Sequence, residues 1–150
     1  MNILLIRGPA NNKAIDLSHY TFSEPLGLQM LYSVLSKENS VEIFDMLADK
    51  TTLEKKLNEK QFDFCGISSA CSDIFMIKDL ARKIKKIKDI PIFIGGYQVK
   101  KTPELFKSRH IDFIMVETNK ENLYKMIEDV KRNNNNKLKT LFFIFSPCSY

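Results

Sequence analysis

Cysteine is scarce: the chain of 150 residues has three, Cys65, Cys71 and Cys148. So few thiols, odd in number, cannot form the disulfide framework of a secreted domain, and a reducing cytoplasm is the expected compartment. Cys65 and Cys71 are separated by five residues with no third thiol nearby. That spacing excludes a zinc ribbon and a Cys-x3-Cys-x2-Cys iron–sulfur loop, so no iron–sulfur cluster is expected. Long apolar runs are missing too. Nothing approaches the ~20 residues of a membrane span. The opening "MNILLIRGPA" has no basic lead-in and passes into a polar loop, so it reads as a first strand and not as a signal peptide. Neither export nor membrane insertion is expected.

Glycine is nearly as rare, with 5 residues, and this excludes the common nucleotide sites. A phosphate-gripping loop needs Gly-x4-Gly-Lys-Ser/Thr so that backbone amides wrap the phosphates. "RGPANNKAI" supplies Gly8 and a lysine but no second glycine and no hydroxyl, and with Gly8 alone the dinucleotide fingerprint fails as well. A phospho-receiver would need acidic residues after the first strand, an aspartate ending the third and a lysine ending the fifth, where this chain has Arg7, Ser68 and Glu117. The Ser/Thr-rich phosphate loop of flavodoxins is also absent. Histidine, the usual general base, occurs twice. His110 precedes the fifth strand, at the end of the sheet away from any ligand, and reads as structural. His19 lies in the long first loop and is the candidate base or ligand, although a lone loop histidine is more often a surface residue.

What is present is a globular composition, 44% hydrophobic and 27% charged, with a formal net charge of +5. The lysines of "ARKIKKIKD" fall in the last turns of a predicted helix, where they suit the negative end of its dipole. With no aromatic–basic stripe, the charge reads as a solvated surface and nucleic-acid binding is not expected.

Short β-rich runs at 2–6, 41–45, 63–68, 90–96 and 111–116 alternate with segments of helical spacing. Leu28, Leu31 and Leu35, with Met30 and Val34, mark a helix after Pro25. Thr51 and Glu54 form a capping box for a second. Ile74, Ile77, Ala81 and Ile84 mark a third, Thr102-Pro103 opens a fourth, and Leu123, Met126, Ile127 and Val130 mark a fifth. Strict alternation predicts an α/β, doubly wound, three-layer αβα domain over 1–132. Its parallel five-stranded sheet is flavodoxin-like, in the order 2-1-3-4-5. The remainder, 133–150, is a loop followed by "LKTLFFIFS", which leaves open a sixth strand or a loosely packed tail. In such sheets ligands sit past the carboxyl ends of the strands, where the order reverses. The loop 7–25, Ser68 to Ser72, Gly95 to Lys101 and Glu117 to Asn119 arrive there.

The ordered landmarks "MNILLIRGP", "PLGLQMLYSVLSKENSVEIFD", "DFCGISSACSDIFMIKDLARKIKK", "IPIFIGGYQVKKTPELF" and "IDFIMVE" resemble the cobalamin-binding domain that precedes the catalytic barrel of many radical S-adenosylmethionine enzymes. The resemblance runs from residue 1 to about 130. It implies a corrinoid across the carboxyl rim, with the family's Gly-Gly at Gly95 and Gly96, its Gly-Ile-Ser at Gly66, Ile67 and Ser68, and its Pro-Leu-Gly at Pro25, Leu26 and Gly27. The implied cofactor-facing set adds Pro9, Ser69, Cys71, Tyr97, Gln98, Glu117 and Thr118, and His19 is the candidate cobalt ligand.

The chain departs from the family's x-His-x-Ser/Thr at Tyr97 to Lys100, and from its Gly-Glu-Gly-Glu at Glu117 to Lys120. Asp16 and His19 do not match the mutases' Asp-x-His-x-x-Gly loop. These 150 residues hold no barrel; the implied role is a cobalamin module that is non-catalytic alone, and a stand-alone carrier, a truncated remnant and a fragment of a longer enzyme stay open. A radical S-adenosylmethionine subunit, as in methyltransferase-type systems, is the implied partner, and a homodimer is left open. Two other readings remain at this point: a domain that keeps the fold for interaction or regulation without the cofactor, and a small hydrolase or transferase using His19.

Overall fold

The computed structural model describes residues 1–9, 24–69 and 74–133, and the backbone of 142–144. His19, Cys71, Ser72 and Cys148 lie outside the described residues. Six strands form one parallel sheet in the order β2-β1-β3-β4-β5-β6: β1 Asn2–Arg7, β2 Ser40–Asp45, β3 Phe64–Ser68, β4 Ile92–Gly95, β5 Phe113–Met115 and β6 Phe142–Ile144. The predicted order 2-1-3-4-5 holds. The stretch that sequence left open adds the sixth strand at the β5 edge, Phe113 opposite Phe142.

The strands read as continuous apolar runs because both sheet faces are covered. Ile3, Leu5, Phe64, Phe93, Phe113 and Met115 face one way, against α1 Leu26–Leu35 and α5 Lys120–Asn133. Leu4, Ile6, Cys65, Ile67, Ile92, Ile94 and Ile114 face the other, against α2 Leu53–Glu59, α3 Ile74–Ile87, α4 Tyr97–Lys101 and the 3-10 helix Pro103–Phe106. Within the first layer Phe64 stacks on Phe93, ring centroids 5.1 Å apart, and meets Phe113 edge-on at 6.0 Å. Burial of such rings is among the largest apolar contributions a core receives.

Two helix starts differ from expectation. The Thr51–Glu54 capping box does not form, because the Thr51 amide donates to Asp49 Oδ1 (2.8 Å) in a tight turn. The helix opens one residue later, with Thr52 Oγ1 accepting from the Lys55 amide at 3.2 Å. Thr102 does precede Pro103, but its hydroxyl donates to the Gln98 carbonyl at the end of α4 and does not cap the 3-10 helix. That α4 is a helix at all was not foreseen; the stretch reads as a rim loop.

At the amino end of the sheet, carboxylates hold strand starts. Asp63 Oδ2 accepts from the Asn2 amide and Asp112 Oδ2 from the Ile92 amide, each at 2.7 Å. Lys85 closes on Asp112 at 2.9 Å, while Arg82 and Lys83 pair with Asp79. Three cations of the basic run of α3, Arg82, Lys83 and Lys85, are therefore paired with the protein's own acids. His110 lies at this end, its Nε2 accepting from Arg109 Nε at 3.2 Å. Partial burial, with the cations Arg109, Arg82, Lys85 and Lys86, lowers its pKa.

Candidate functional site

Strand order reverses between β3 and β2 about the central β1, so the crevice lies at the carboxyl ends of β1 and β3. There, on the α1/α5 face, the row of aromatics gives way to small residues. Leu5, Gly66 and Phe93 share one row; Arg7, Ser68, Gly95 and Met115 share the next toward the carboxyl rim. Ser68 and Gly95, the small members of the upper row, border a cavity of about 400 Å³, within the roughly 300–1,000 Å³ typical of small-molecule sites. Its floor is Gly66, Ile67, Ser68, Phe93 and Gly95. One wall is Gly27, Leu28, Met30, Leu31, Ser33 and Val34 of α1; the other is Leu123 of α5. Gly96, Thr118, Asn119 and Lys120 stand at the mouth.

The glycines serve different purposes. A Cβ on Gly66 would sit 2.3 Å from the Phe93 ring, so the absence of a side chain lets that ring lie against β3. A Cβ on Gly95 would meet the Met115 carbonyl and Thr118 Oγ1 only at ordinary contact, 3.7 Å. Gly27 would meet nothing within 4 Å. These two positions are small next to open space. Gly96 is required by the backbone: its φ of 116° and ψ of −178° form a conformation that side chains strongly disfavour.

Ser69, one of the implied cofactor-facing residues, is fully buried and bonded to the protein. Its hydroxyl donates to the Gly95 carbonyl at 2.9 Å and accepts from the Val99 amide at 3.3 Å. Ser68, Gly27, Gly95, Gly96 and Thr118 do line the cavity. Tyr97, Glu117 and Thr118 border a second, shallower depression of about 350 Å³ with Gly96, Lys100, Val116 and Asn119. Pro25 caps α1, its carbonyl accepting from the Leu28 and Gln29 amides. Pro9 and Gln98 are half-buried outside both hollows.

The sequence reading takes the wall residues Met30, Leu31 and Val34 as core, whereas Asn119 falls within the expected rim segment and Lys120 directly follows it. The signal for the former was available: α1 carries more apolar residues than one buried stripe needs, and Met30 is 71% exposed.

Three helices that start at this rim each present an apolar side chain to solvent there: Leu26 on α1 (66% exposed), Phe75 on α3 (81%) and Tyr97 on α4 (62%). Tyr97 is covered on one face by Lys101, 4.6 Å from the ring centre. Charge at the mouth comes from Lys120, whose ammonium lies 5.7 Å from the Tyr124 ring. Asn119 caps α5, its Oδ1 accepting from the Asn122 amide at 2.8 Å, and Asn122 Nδ2 returns to the Glu117 carbonyl at 3.1 Å. The mouth loop is thus tied to its own helix.

Among the described residues the groups with nucleophilic or acid–base chemistry near the sheet are engaged elsewhere. Cys65 is on the opposite face of the sheet, where burial pushes its thiol far up. Arg7 and Asp45 pair with each other at 3.2 Å. Among the described residues no group of three His, Cys, Asp or Glu side chains could hold a metal ion, and no helix is long and apolar enough to cross a membrane.

Comparison with known proteins agrees with this geometry. Residues 13–138 match the family model of the B12 binding domain. The uncharacterized methyltransferase PH0819 of Pyrococcus horikoshii is 33% identical over 109 residues, 70% of this chain and 24% of that protein. Among solved structures, the radical S-adenosylmethionine methyltransferase TsrM of Kitasatospora setae, determined with tryptophan and a SAM analogue, superposes with a TM-score of 0.67 at 16% identity. The match covers 88% of this chain and 26% of that one. The chain therefore spans about a quarter of the length of these relatives. Since the family model covers most of the chain, and the cavity lies where the strand order reverses, the chain belongs to the B12-binding domain family.

Proposed function

We propose that this chain binds a corrinoid at its carboxyl rim, the nucleotide tail entering the α1/α5 cavity and the macrocycle resting against the exposed side chains of Leu26, Phe75 and Tyr97. The observation that carries this reading is the cavity itself, kept open by Gly27 and Gly95, two positions where the protein has left side-chain space unfilled. Thr118, Asn119 and Lys120 line the cavity; of these, Asn119 stands where the family has a glycine, as does Glu117 just before them. Ser68, Thr118 and Lys120 would meet the polar ribose–phosphate portion of the tail. A bound corrinoid would supply a cobalt centre able to carry a methyl group. The chain's own residues would hold and orient it, and His19 is the candidate protein ligand.

Because both relatives are named methyltransferases and this chain covers only about a quarter of each, we read the module as the corrinoid-holding part of a radical S-adenosylmethionine methyltransferase-type system in the cytoplasm, the reaction itself belonging to another domain or subunit.

The test is retention of pigment. Protein incubated with hydroxocobalamin and desalted is expected to keep a corrinoid absorption band. Gly95→Val, which fills the mouth without a backbone clash, is expected to lose it while its circular dichroism is unchanged. A colourless wild-type eluate overturns the proposal in favour of a domain that keeps the fold without the cofactor.

A further inference from the structure

Corrinoids differ in the base that ends their nucleotide tail: cobalamin carries a dimethylbenzimidazole, whereas other natural forms carry a purine. Resting on the binding reading above, we infer that this cavity selects an apolar benzimidazole tail and rejects a purine one. The polar lining side chains are concentrated at one level. Ser68, Thr118, Asn119 and Lys120 come from the carboxyl end of β3, the loop after β5 and the first residue of α5, at the mouth.

One row deeper, Gly66 and Phe93 form the floor, and Leu28, Leu31, Val34 and Leu123 form the walls. Of the α1 residues that line the cavity, Ser33 is the one with a polar side chain; it is exposed and its hydroxyl donates to the Met30 carbonyl at 2.8 Å. Backbone groups of the floor are engaged in the sheet, with β3 paired to β1 and β4 on either side. Among the described residues no buried side-chain nitrogen or oxygen lacks a hydrogen-bond partner, so the interior offers no unmet polar group to a ligand.

A dimethylbenzimidazole entering past the mouth exposes only carbon at its far edge and matches this lining. An adenine would bring ring nitrogens and an exocyclic amine that leave water and find no partner. Each such loss weakens binding by roughly tenfold or more. Phe93 contributes to the apolar floor: with Gly66 lacking a Cβ, its ring lies against β3, stacked on Phe64 and almost wholly buried, and presents no polar group to a base.

The experiment compares the affinity of the full chain for cyanocobalamin and for its adeninyl counterpart by equilibrium dialysis, read by corrinoid absorbance. Binding of cyanocobalamin at least about tenfold tighter is the expected result. Equal or reversed affinities overturn this inference and leave the binding reading standing; retention of neither compound overturns both. A second arm uses Leu31→Gln, which places an amide in the half-buried wall. In a folded variant, checked by circular dichroism, the preference is expected to narrow severalfold. An unchanged preference would contradict the assignment of selectivity to the apolar lining.

Discussion

The hydroxyl of Ser69 donates to the carbonyl of Gly95 across 2.9 Å, and the same oxygen accepts from the amide of Val99. Ser69 thereby supplies from the end of β3 the cap that α4 lacks locally. The residue at the N-cap position is Gly96, which has no side chain to offer, and the third amide of a helix is one of the donors that need a partner. The turn that forms the cavity mouth is therefore held from a neighbouring strand. Ser69→Ala is expected to destabilise the fold by about 0.5–2 kcal/mol, as loss of a cap does, and to weaken corrinoid retention beyond that. Urea denaturation gives the first number and pigment titration the second. A variant as stable as wild type would remove this role.

Gly95 and Gly96 should respond differently to substitution. Gly96→Ala forces a Cβ into a conformation it disfavours and is expected to cost about 1–3 kcal/mol. Gly95→Ala places its Cβ at ordinary contact distances and should change the thermal midpoint little. Comparable losses in thermal melts of the two would contradict the assignment of the strain to Gly96.

Gly66→Ala is expected to destabilise by about 1–3 kcal/mol, because its Cβ would overlap the Phe93 ring and force it from its stack on Phe64. Combining it with Phe93→Leu should recover part of the loss, a non-additivity that a double-mutant cycle measures. Strict additivity would mean the two positions do not share this space.

Acid sensitivity has a specific contributor. Hydrogen bonds from Lys60 and then Lys56 hold the Glu42 carboxyl below its ordinary value of 4.5. A carboxyl with a lowered folded pKa favours the folded state above the unfolded value, and that contribution is lost as pH falls through the folded one. Stability is thus expected to decline from near pH 4.5 downward, and Glu42→Gln to show a shallower decline. The group is partly exposed, so the effect is small and shrinks with added salt. Acid titrations of both proteins by circular dichroism make the comparison; identical slopes would assign the decline to other carboxyls.

Cys65 is expected to resist alkylation in the folded protein, since burial keeps its thiol protonated, with Lys85 opposing only weakly. Iodoacetamide labelling read by peptide mass spectrometry should modify it only in denaturant. Labelling in native buffer would mean that the α3 face opens.

Much of this was legible in local pattern. Leu4 and Leu5, or Ile92 and Phe93, are consecutive apolar residues because both faces of a parallel strand are buried. The stripe Ile77, Leu80, Ala81 and Ile84 is set by helical period alone. The sheet order and the rim followed from these alternations. The failures were of one kind. Thr51 loses the cap to Thr52 because Asp49 reaches it first. The helix α4 goes unseen because its cap is contributed by a residue thirty positions away. The wall of the cavity looks like core because an apolar residue has the same signature whether it meets protein or open space.

The paired glycines divide along the same line. Composition and order marked Gly95-Gly96 as the unusual end of a strand, since two residues without side chains in a glycine-poor chain are visible at once. Their separate tasks were decided by the fold. Gly96 adopts a positive φ because the chain must turn sharply from β4 into α4. Gly95 matters because parallel register sets it beside Ser68 and Met115, below Thr118, at the opening of a cavity whose walls come from α1 and α5. Periodicity is a property of neighbours along the chain. A cavity is a property of neighbours across it, and only packing brings residues 27, 66, 95 and 118 to one place.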